Sequence, residues 1–246
     1  MATSVFGAPI TFKTLSKLED YVCKQVTTRD LAELAFLTKN DDGKDSKARE
    51  FVEEKGTKYA GEFVRCLIYN ATGDTIRLQT YSDAGDGFVS PSPYPMLIMN
   101  GQWGAYLKRG GGAVVYAVKN EYGSEHQVVY TYRPLEPGRV YTDIKQRDFY
   151  KSKDPWTVYS TPLDENKSYI YQAHEFGLSS FASIGGTIRS PVFEGIITLD
   201  GAWPNYSIIK PYNPPSIGYP STRQALIDEG IEGDATTEQD AGSNDA

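Results

Sequence analysis

The sequence is poor in the residue types that carry most catalytic and metal chemistry. Its 246 residues include two histidines, His126 and His174, and two cysteines, Cys23 and Cys66. The histidines do not form a zincin pair, and no serine or cysteine lies in a recognisable nucleophile motif. The cysteines fit neither a zinc spacing nor a disulfide framework, and they suit a reducing compartment or a single optional bridge. We therefore expect a non-enzymatic protein with no catalytic residue, no metal site and no cofactor.

The sequence also lacks a long apolar run. No segment approaches the roughly 20 apolar residues that a membrane-spanning helix needs. Residues 1–20 contain no basic stretch followed by an apolar one, which is the pattern of a secretory signal. From these two features we expect a soluble, cytoplasmic protein without a transmembrane segment.

Excess charge is absent from most of the chain. The formal net charge is −7, but residues 223–246 hold seven acidic side chains and one basic one, so that residues 1–222 are nearly neutral. Nucleic-acid binding rests on clustered lysine and arginine, and a nucleic-acid partner is therefore not expected. The acidic segment from residue 228 onward has the composition of a disordered tail.

What the sequence does contain begins with a helical N-terminal region. Thr27 and Asp30 have the spacing of a capping box, and apolar residues follow at helical intervals up to the turn formers of residues 40–43. A second helix is predicted from residue 46 to about residue 59. We interpret residues 1–60 as a helical extension of the domain that follows.

From residue 63 onward the pattern changes to that of short strands. Ile76 and Leu78 alternate with polar residues, as expected of a strand with one buried face. Turns rich in glycine and proline separate the predicted strands, which cover residues 63–69, 76–81, 95–99, 103–108, 113–119, 127–133, 139–145 and 192–199. Many short strands at regular spacing predict a mainly β protein, with a sandwich or barrel over residues 61–200.

Two further stretches are harder to interpret. Residues 146–180 mix charges, Trp156 and several tyrosines, and we interpret them as a long excursion with short elements of its own. The strand at residues 192–199 is followed by a proline-rich segment, which cannot form regular ladders. We assign residues 201–246 to this segment and the disordered acidic tail.

Several motifs that suggest a function are better explained by structure. Residues 110–112 are three glycines without the lysine and serine of a phosphate loop, and a hairpin turn is predicted there. Residues 82–87 resemble half of a calcium loop but lack the terminal glutamate. Glu175, Glu194 and Asp200 could serve glycoside hydrolysis, although no pattern distinguishes them, and an unrecognised hydrolase stays open as an alternative.

Tyrosine is in clear surplus. Of the 18 tyrosines, all except Tyr21 fall between residues 59 and 219. Tyrosine favours strands and the boundary between apolar and wet surroundings. Most of these rings should pack the core and its rims. The surplus predicts that some of them line a groove suited to sugar faces, choline-like cations or a membrane interface.

Several motifs resemble those of the plant 23-kDa jasmonate-induced protein family. They occur in order over roughly residues 5–145 and again near residues 191–199, and they include Asn70-Ala71-Thr72-Gly73-Asp74, Asn100-Gly101-Gln102-Trp103-Gly104-Ala105, Gly112-Ala113-Val114-Val115-Tyr116 and Val140-Tyr141-Thr142-Asp143-Ile144. That family is similar in turn to the actinoporin, aegerolysin and nakanori-like group. The resemblance implies an antiparallel β-sandwich whose distant relatives bind membranes containing sphingolipid or sterol.

Together with the tyrosine surplus, the resemblance implies a stress- or defence-associated protein that binds a lipid head group or a glycan. Actinoporins carry Ser-Val-Pro in the head-group pocket at a strand end, where this sequence has Tyr132-Arg133-Pro134. Arg133 could pair there with a phosphate. The expected binding rim consists of Tyr94, Trp103, Tyr130, Tyr132, Arg133, Pro134 and Tyr141. The alternative is a stress-induced structural, storage or protein-interaction protein without a small ligand.

Overall fold

The computed structural model describes residues 4–58, 63–84, 93–134, 138–187 and 190–202 of the chain. The helices are α1 Phe12–Leu15, α2 Thr28–Leu37, α3 Lys44–Thr57 and α4 Pro155–Asn166. The strands are β1 Val5–Phe6, β2 Phe63–Ala71, β3 Ile76–Ala84, β4 Leu97–Ile98, β5 Trp103–Arg109, β6 Gly111–Lys119, β7 Glu125–Arg133, β8 Arg139–Gln146, β9 Ile170–Glu175, β10 Leu178–Thr187 and β11 Ser190–Leu199. The proline-rich segment from Pro204 and the acidic tail lie outside the described residues.

The strands form the two sheets of a mainly β sandwich, as predicted. Sheet A has the order β1-β5-β2-β11-β10-β9, and sheet B has the order β4-β3-β6-β7-β8. Within the described ranges every pairing is antiparallel apart from that of β11 with β2, which is parallel. This pair joins the first long strand to the last one. Two parallel strands can pair only when a long connection joins them, and here the whole chain from β3 to β10 lies between β2 and β11.

The core lies between the two inner sheet faces and follows from side-chain alternation along each strand. Val128, Tyr130 and Tyr132 of β7 point inward and are completely buried. Phe193 of β11 meets them from the opposite sheet, with ring centroids 5.8 Å from Tyr130 and 4.6 Å from Tyr132. Gly195 lies beside Tyr130, because a Cβ at residue 195 would come within 3.0 Å of that ring. The Tyr130 ring therefore fills the space that Gly195 leaves on the opposite sheet.

The two predicted N-terminal helices are present and cover the outer face of sheet A. The capping box at α2 is confirmed, because the Thr27 amide donates to Asp30 at 2.7 Å and the Asp30 amide donates to the Thr27 hydroxyl at 3.2 Å. Helix α3 begins at residue 44, two residues before its predicted start. Arg49 of α3 pairs with the buried carboxylate of Glu194 at 2.7 Å, which ties this helix to β11. The strand β1 also adds to sheet A by pairing with β5.

The turns that carry the family-like motifs join these helices to the sandwich. Asn100 donates to the carbonyl oxygens of Ile10 at 3.2 Å and Leu31 at 3.0 Å, and its own side-chain oxygen accepts from the Gly73 amide at 2.9 Å. Trp103 donates from its indole nitrogen to the carbonyl of Lys39 at 3.0 Å. These motif residues therefore fix the junction between the N-terminal region and the sheets.

The excursion over residues 146–180, for which the sequence predicts no defined element, contains α4, β9 and the start of β10. Asp154 caps α4 by accepting from the Thr157 amide at 2.9 Å, and Pro155 occupies the first turn. The buried residues of this helix, Pro155, Tyr159 and Leu163, are spaced four residues apart and lie on one face. Helix α4 packs across the outer face of sheet B. Its irregular composition and internal Pro162 hid a helix whose N-terminal signals were present in the sequence.

Two predicted local structures differ in extent. The strand expected over residues 95–99 is reduced to Leu97–Ile98, with the Pro95 carbonyl accepting from the Tyr116 hydroxyl at 3.0 Å. Of the glycines at 110–112, Gly110 makes the turn with φ +62°, whereas Gly111 and Gly112 belong to β6. A Cβ at Gly111 would lie 3.1 Å from the Trp156 ring, so the lack of a side chain lets α4 approach the sheet.

Candidate functional site

The structure does not bring the seven expected rim residues together on one surface. Tyr94, Trp103, Tyr130 and Tyr132 are all at most 5% exposed. Tyr94, Tyr130 and Tyr132 belong to the core between the sheets. Trp103 faces the other way, under the N-terminal helices, with its ring 4.8 Å from that of Tyr69. Strand alternation and the covering helices bury these rings, and they are not available to a ligand in this conformation.

Tyr94 and Tyr132 instead take part in polar contacts inside the sandwich, and the Tyr132 hydroxyl lies 3.3 Å from that of Tyr106. Tyr94 donates to the Asp83 carboxylate at 2.6 Å, and the fully buried Lys108 lies 3.2 Å from the same carboxylate. Residues 82–87 resemble half of a calcium loop in the sequence, but the Asp83 carboxylate in this segment binds Tyr94 and Lys108 instead. Burial raises the pKa of the nearby Cys66 thiol to about 12, which keeps this cysteine protonated and unreactive.

Three expected residues, Arg133, Pro134 and Tyr141, do lie near the surface, at the hairpin end of β7 and β8. Arg133 and Arg139 are directly opposite each other across the two strands. Both guanidinium groups contact one carboxylate, that of Asp164 on α4, with an Arg139–Asp164 distance of 3.0 Å. Two cations therefore share one anion at this strand end.

Aromatic rings border the arginine pair. The Arg133 guanidinium lies 5.2 Å from the centroid of the Trp156 ring, which α4 presents. Tyr141 follows Arg139 by two residues and lies on the same outer face of β8. Its ring centroid is 4.4 Å from that of Tyr171 on β9. We call this set of residues the hairpin–helix site, which comprises Arg133, Arg139, Tyr141, Trp156, Asp164 and Tyr171.

Electrostatics favour an anion at the hairpin–helix site. The hydrogen bond from Arg133, followed by the charges of Arg133 and Arg139, holds the pKa of Asp164 below its ordinary value, so this carboxylate is ionised. One carboxylate cannot neutralise two guanidinium groups. The Nε atom of Arg139 is buried and has no hydrogen-bond partner within the described part of the chain. Burial and the neighbouring Tyr171 raise the pKa of Tyr141, which stays a neutral phenol.

Sequence reasoning missed Arg139, Trp156, Asp164 and Tyr171 as members of this site. Arg139 could have been found, because the sequence predicts a turn between β7 and β8, and a short hairpin connection would place Arg139 opposite Arg133, where the structure has it. Trp156 and Asp164 required α4 to be recognised. To place Tyr171 at the site, one must know that the segment before β9 lies against β8. There the Val140 amide donates to the Ser168 carbonyl at 2.9 Å.

A serine, a histidine and an aspartate meet elsewhere, at the end of β9 and β10. Ser179 donates to Asp200 at 2.9 Å and lies 3.0 Å from Nδ1 of His174, which is itself 3.7 Å from Asp200. In a hydrolytic triad the two ring nitrogens face different partners. Here the same nitrogen faces both, and Ser179 is buried. This arrangement does not activate the serine as a nucleophile.

The described part of the chain shows neither a membrane-spanning helix nor a cluster of metal-ligand side chains. Over the described residues, no helix is both long and apolar enough to cross a bilayer. In the same ranges, no three side chains of histidine, cysteine, aspartate or glutamate are grouped as metal ligands would be.

The fold and site together define a helix-covered β-sandwich with a cationic, aromatic-bordered site at a hairpin end. Residues 6–200 match the family model described as Nakanori-like protein, and the chain belongs to this family. It is 35% identical over 198 residues to the 23 kDa jasmonate-induced protein of Hordeum vulgare, covering 75% of this chain and 93% of the relative. The crystal structure of the lipid binding protein Nakanori shares the fold, with a TM-score of 0.67 at 18% identity, over 78% of this chain and 98% of that one.

Proposed function

We propose that this protein is stress-associated and non-enzymatic, and that it binds membranes through the phosphate of a lipid head group at the hairpin–helix site. The observation that carries the proposal is the pair of guanidinium groups, Arg133 and Arg139, held side by side with one shared carboxylate. Arginine is the side chain best suited to bind phosphate oxygens through paired N–H donors. The name of the structurally similar lipid binding protein supports the same class of ligand.

The aromatic border suits the rest of a zwitterionic head group. Tyr141 follows Arg139 on the same face of β8 and its ring contacts that of Tyr171, and a quaternary ammonium is attracted to aromatic ring faces. A phosphocholine group could therefore place its phosphate on the arginines and its ammonium on the tyrosines. Sphingomyelin with sterol is the membrane that we expect to be bound. The predicted cytoplasmic location would direct this binding to an intracellular leaflet.

Asp164 acts as an internal competitor in this proposal. Its carboxylate occupies both arginines in the free protein, and an incoming phosphate must share or displace it. Neutralising Asp164 should therefore strengthen binding, whereas neutralising either arginine should weaken it. Changes of opposite sign on two contacting residues are difficult to explain by damage to the fold.

The test is sedimentation with vesicles of phosphatidylcholine, with and without sphingomyelin and cholesterol. We expect Arg139→Gln to weaken binding at least about tenfold, since hydrogen bonds to charged groups contribute about 1.5–3 kcal/mol. Asp164→Asn should strengthen binding about threefold or more. The exposed Glu165→Gln and Lys151→Gln variants change net charge by the same amounts and should leave binding unaltered.

Parallel behaviour of Arg139→Gln and Lys151→Gln would exclude the site, because charge alone would then account for the effect. Binding to a glycan array but to no vesicle would exclude lipid as the ligand class. Blank vesicle and glycan assays, with a protein partner recovered from extracts, would favour the alternative of a protein-interaction role. Leakage of a trapped dye, measured separately, distinguishes binding from permeabilisation.

A further inference from the structure

A second recess lies on the same outer face of sheet B, beyond the part that α4 covers. It encloses about 280 Å³. It is lined by Asp74, Thr75, Arg77, Gln79, Ala117, Val118, Lys119 and Glu125. We call it the β3–β7 cleft. It shares no residue with the hairpin–helix site, and its volume suits a ligand smaller than a typical drug.

The cleft forms because the small side chain of Ala117 lies between longer polar side chains on the neighbouring strands. Arg77 of β3 and Gln127 of β7 are both directly opposite Ala117 of β6. Ile76, Tyr116 and Val118 fill the core, so alternation directs Arg77 and Ala117 to the outer face. The Ala117 methyl group forms a low floor, and Arg77 and Glu125 project from the strands on either side of it.

The charges of the cleft balance, but they are not all paired with each other. Lys119 contacts Asp74 at 3.1 Å, which leaves Arg77 and Glu125 as the second pair of opposite charges. Arg77 is exposed and has no ion-pair or hydrogen-bond partner among the residues that the structure describes. Glu125 lies 3.8 Å from the largely exposed Arg147, beyond hydrogen-bond distance. An unpaired guanidinium and a weakly paired carboxylate thus face one recess.

We propose that the β3–β7 cleft binds a small zwitterion, with its anionic group on Arg77 and a primary ammonium on Glu125. A ligand of one sign would be attracted by one of these residues and repelled by the other. A zwitterion satisfies both, and the guanidinium fork matches a carboxylate or phosphate. The lining residues include no aromatic ring, so the cleft offers hydrogen-bond acceptors to a primary ammonium and no ring face to a quaternary one.

An anionic group and a primary ammonium occur together in two kinds of natural ligand, a free amino acid and an ethanolamine phosphate head group. Backbone amide NMR shifts on the full chain would be followed at Gln79, Ala117 and Glu125. The probes are glycine, γ-aminobutyrate and ethanolamine phosphate, compared with acetate, methylammonium and choline phosphate. We expect saturable shifts with at least one of the first three, and binding at least about tenfold weaker for the other three.

Variants localise the site and separate it from the hairpin–helix site. Arg77→Gln and Glu125→Gln should each reduce affinity for the zwitterion at least about tenfold, and Ala117→Val should abolish binding by filling the floor. Arg139→Gln should have no effect on this binding. Preference for γ-aminobutyrate identifies the amino-acid source, and preference for ethanolamine phosphate identifies the head-group source. Equal binding of acetate, or no saturable shift with any zwitterion, would overturn the proposal without bearing on the arginine pair.

Discussion

At the scale of single residues, tyrosine has a structural role more often than an exposed one. Its ring adds buried apolar area, while its hydroxyl group needs a partner inside the protein. Tyr69 donates to the Ala35 carbonyl at 2.5 Å, and Tyr116 donates to the Pro95 carbonyl at 3.0 Å. These bonds link core rings to surrounding loops and helices. A surplus of tyrosine in the sequence therefore did not amount to a surplus on the surface.

His126 makes stability depend on pH. Its ring stacks on Phe176 at 4.7 Å, and burial lowers its pKa below the ordinary value of 6.5. The unfolded chain therefore binds a proton in a pH range where the folded protein does not. The stability that the neutral ring contributes is present above about pH 6.5 and is lost as the pH falls through the folded-state pKa.

Urea unfolding of wild type and His126→Phe at about pH 7.5 and about pH 5.5 tests this contribution. We expect the wild type to lose more unfolding free energy on acidification than the variant does. Phenylalanine keeps the stacking but cannot bind a proton. Equal losses in the two proteins would show that His126 does not titrate in this range.

At the scale of elements, the junction between α2 and the β2–β3 turn depends on Gly73. Its φ is +82°, and a Cβ there would lie 2.3 Å from the carbonyl oxygen of Thr28, at the start of α2. Gly123, in the β6–β7 turn, has a similar φ of +79° but open space around the missing Cβ. A substitution at Gly123 therefore tests backbone strain alone, whereas a substitution at Gly73 tests the same strain together with a steric clash.

We expect Gly123→Ala to cost about 1–2 kcal/mol of unfolding free energy, the cost of a left-handed conformation for a residue with a Cβ. Gly73→Ala should cost about 1–3 kcal/mol more, because α2 must move away from the turn. Thermal and urea unfolding of both variants measure the difference. Equal destabilisation would mean that α2 yields freely and that the junction is not tightly packed.

Helix α4 organises the outer face of sheet B. It supplies Trp156 and Asp164 to the hairpin–helix site, and its buried Tyr159 donates to Asp143 of β8 at 2.8 Å. It covers one part of the sheet and leaves the β3–β7 cleft open. The part of sheet B on which α4 packs thus separates the two proposed binding sites, and neither needs the other to function.

At the scale of the whole molecule, charge and fold belong to different parts of the chain. Residues 223–246 carry most of the net charge of −7 and lie outside the described residues. The nearly neutral remainder is neither strongly attracted to nor repelled by an anionic membrane. Membrane binding then depends on specific head-group contacts, such as those proposed for the arginine pair.

Deleting residues 223–246 should leave the melting temperature within about 2 °C of that of the full chain. The acidic, glycine- and serine-containing composition offers little apolar surface to bury. Circular dichroism melting of the two proteins provides the comparison, with vesicle binding measured in parallel. A drop of about 10 °C or more would show that this segment stabilises the fold.

Elements whose signals are local can be predicted from the sequence alone. The Thr27–Asp30 capping box, the largely apolar strand β2, the alternation of β3 and the turn at Asn70 all follow from neighbouring residues, and each is present as predicted. Local signals suffice here because capping, alternation and turn formation are decided within a few residues of chain. The class of fold followed from the sum of these elements and from the family resemblance.

Which aromatic and charged side chains reach the surface depends instead on tertiary packing. Tyr130 and Tyr141 lie on neighbouring strands of one sheet, yet one is completely buried and the other borders a site. The difference arises because side chains alternate between the two faces of sheet B. The inner face packs against the second sheet, and the outer face packs partly against α4. Asp164 is 25 residues from Arg139 along the chain, and only folding places its carboxylate on the arginine pair.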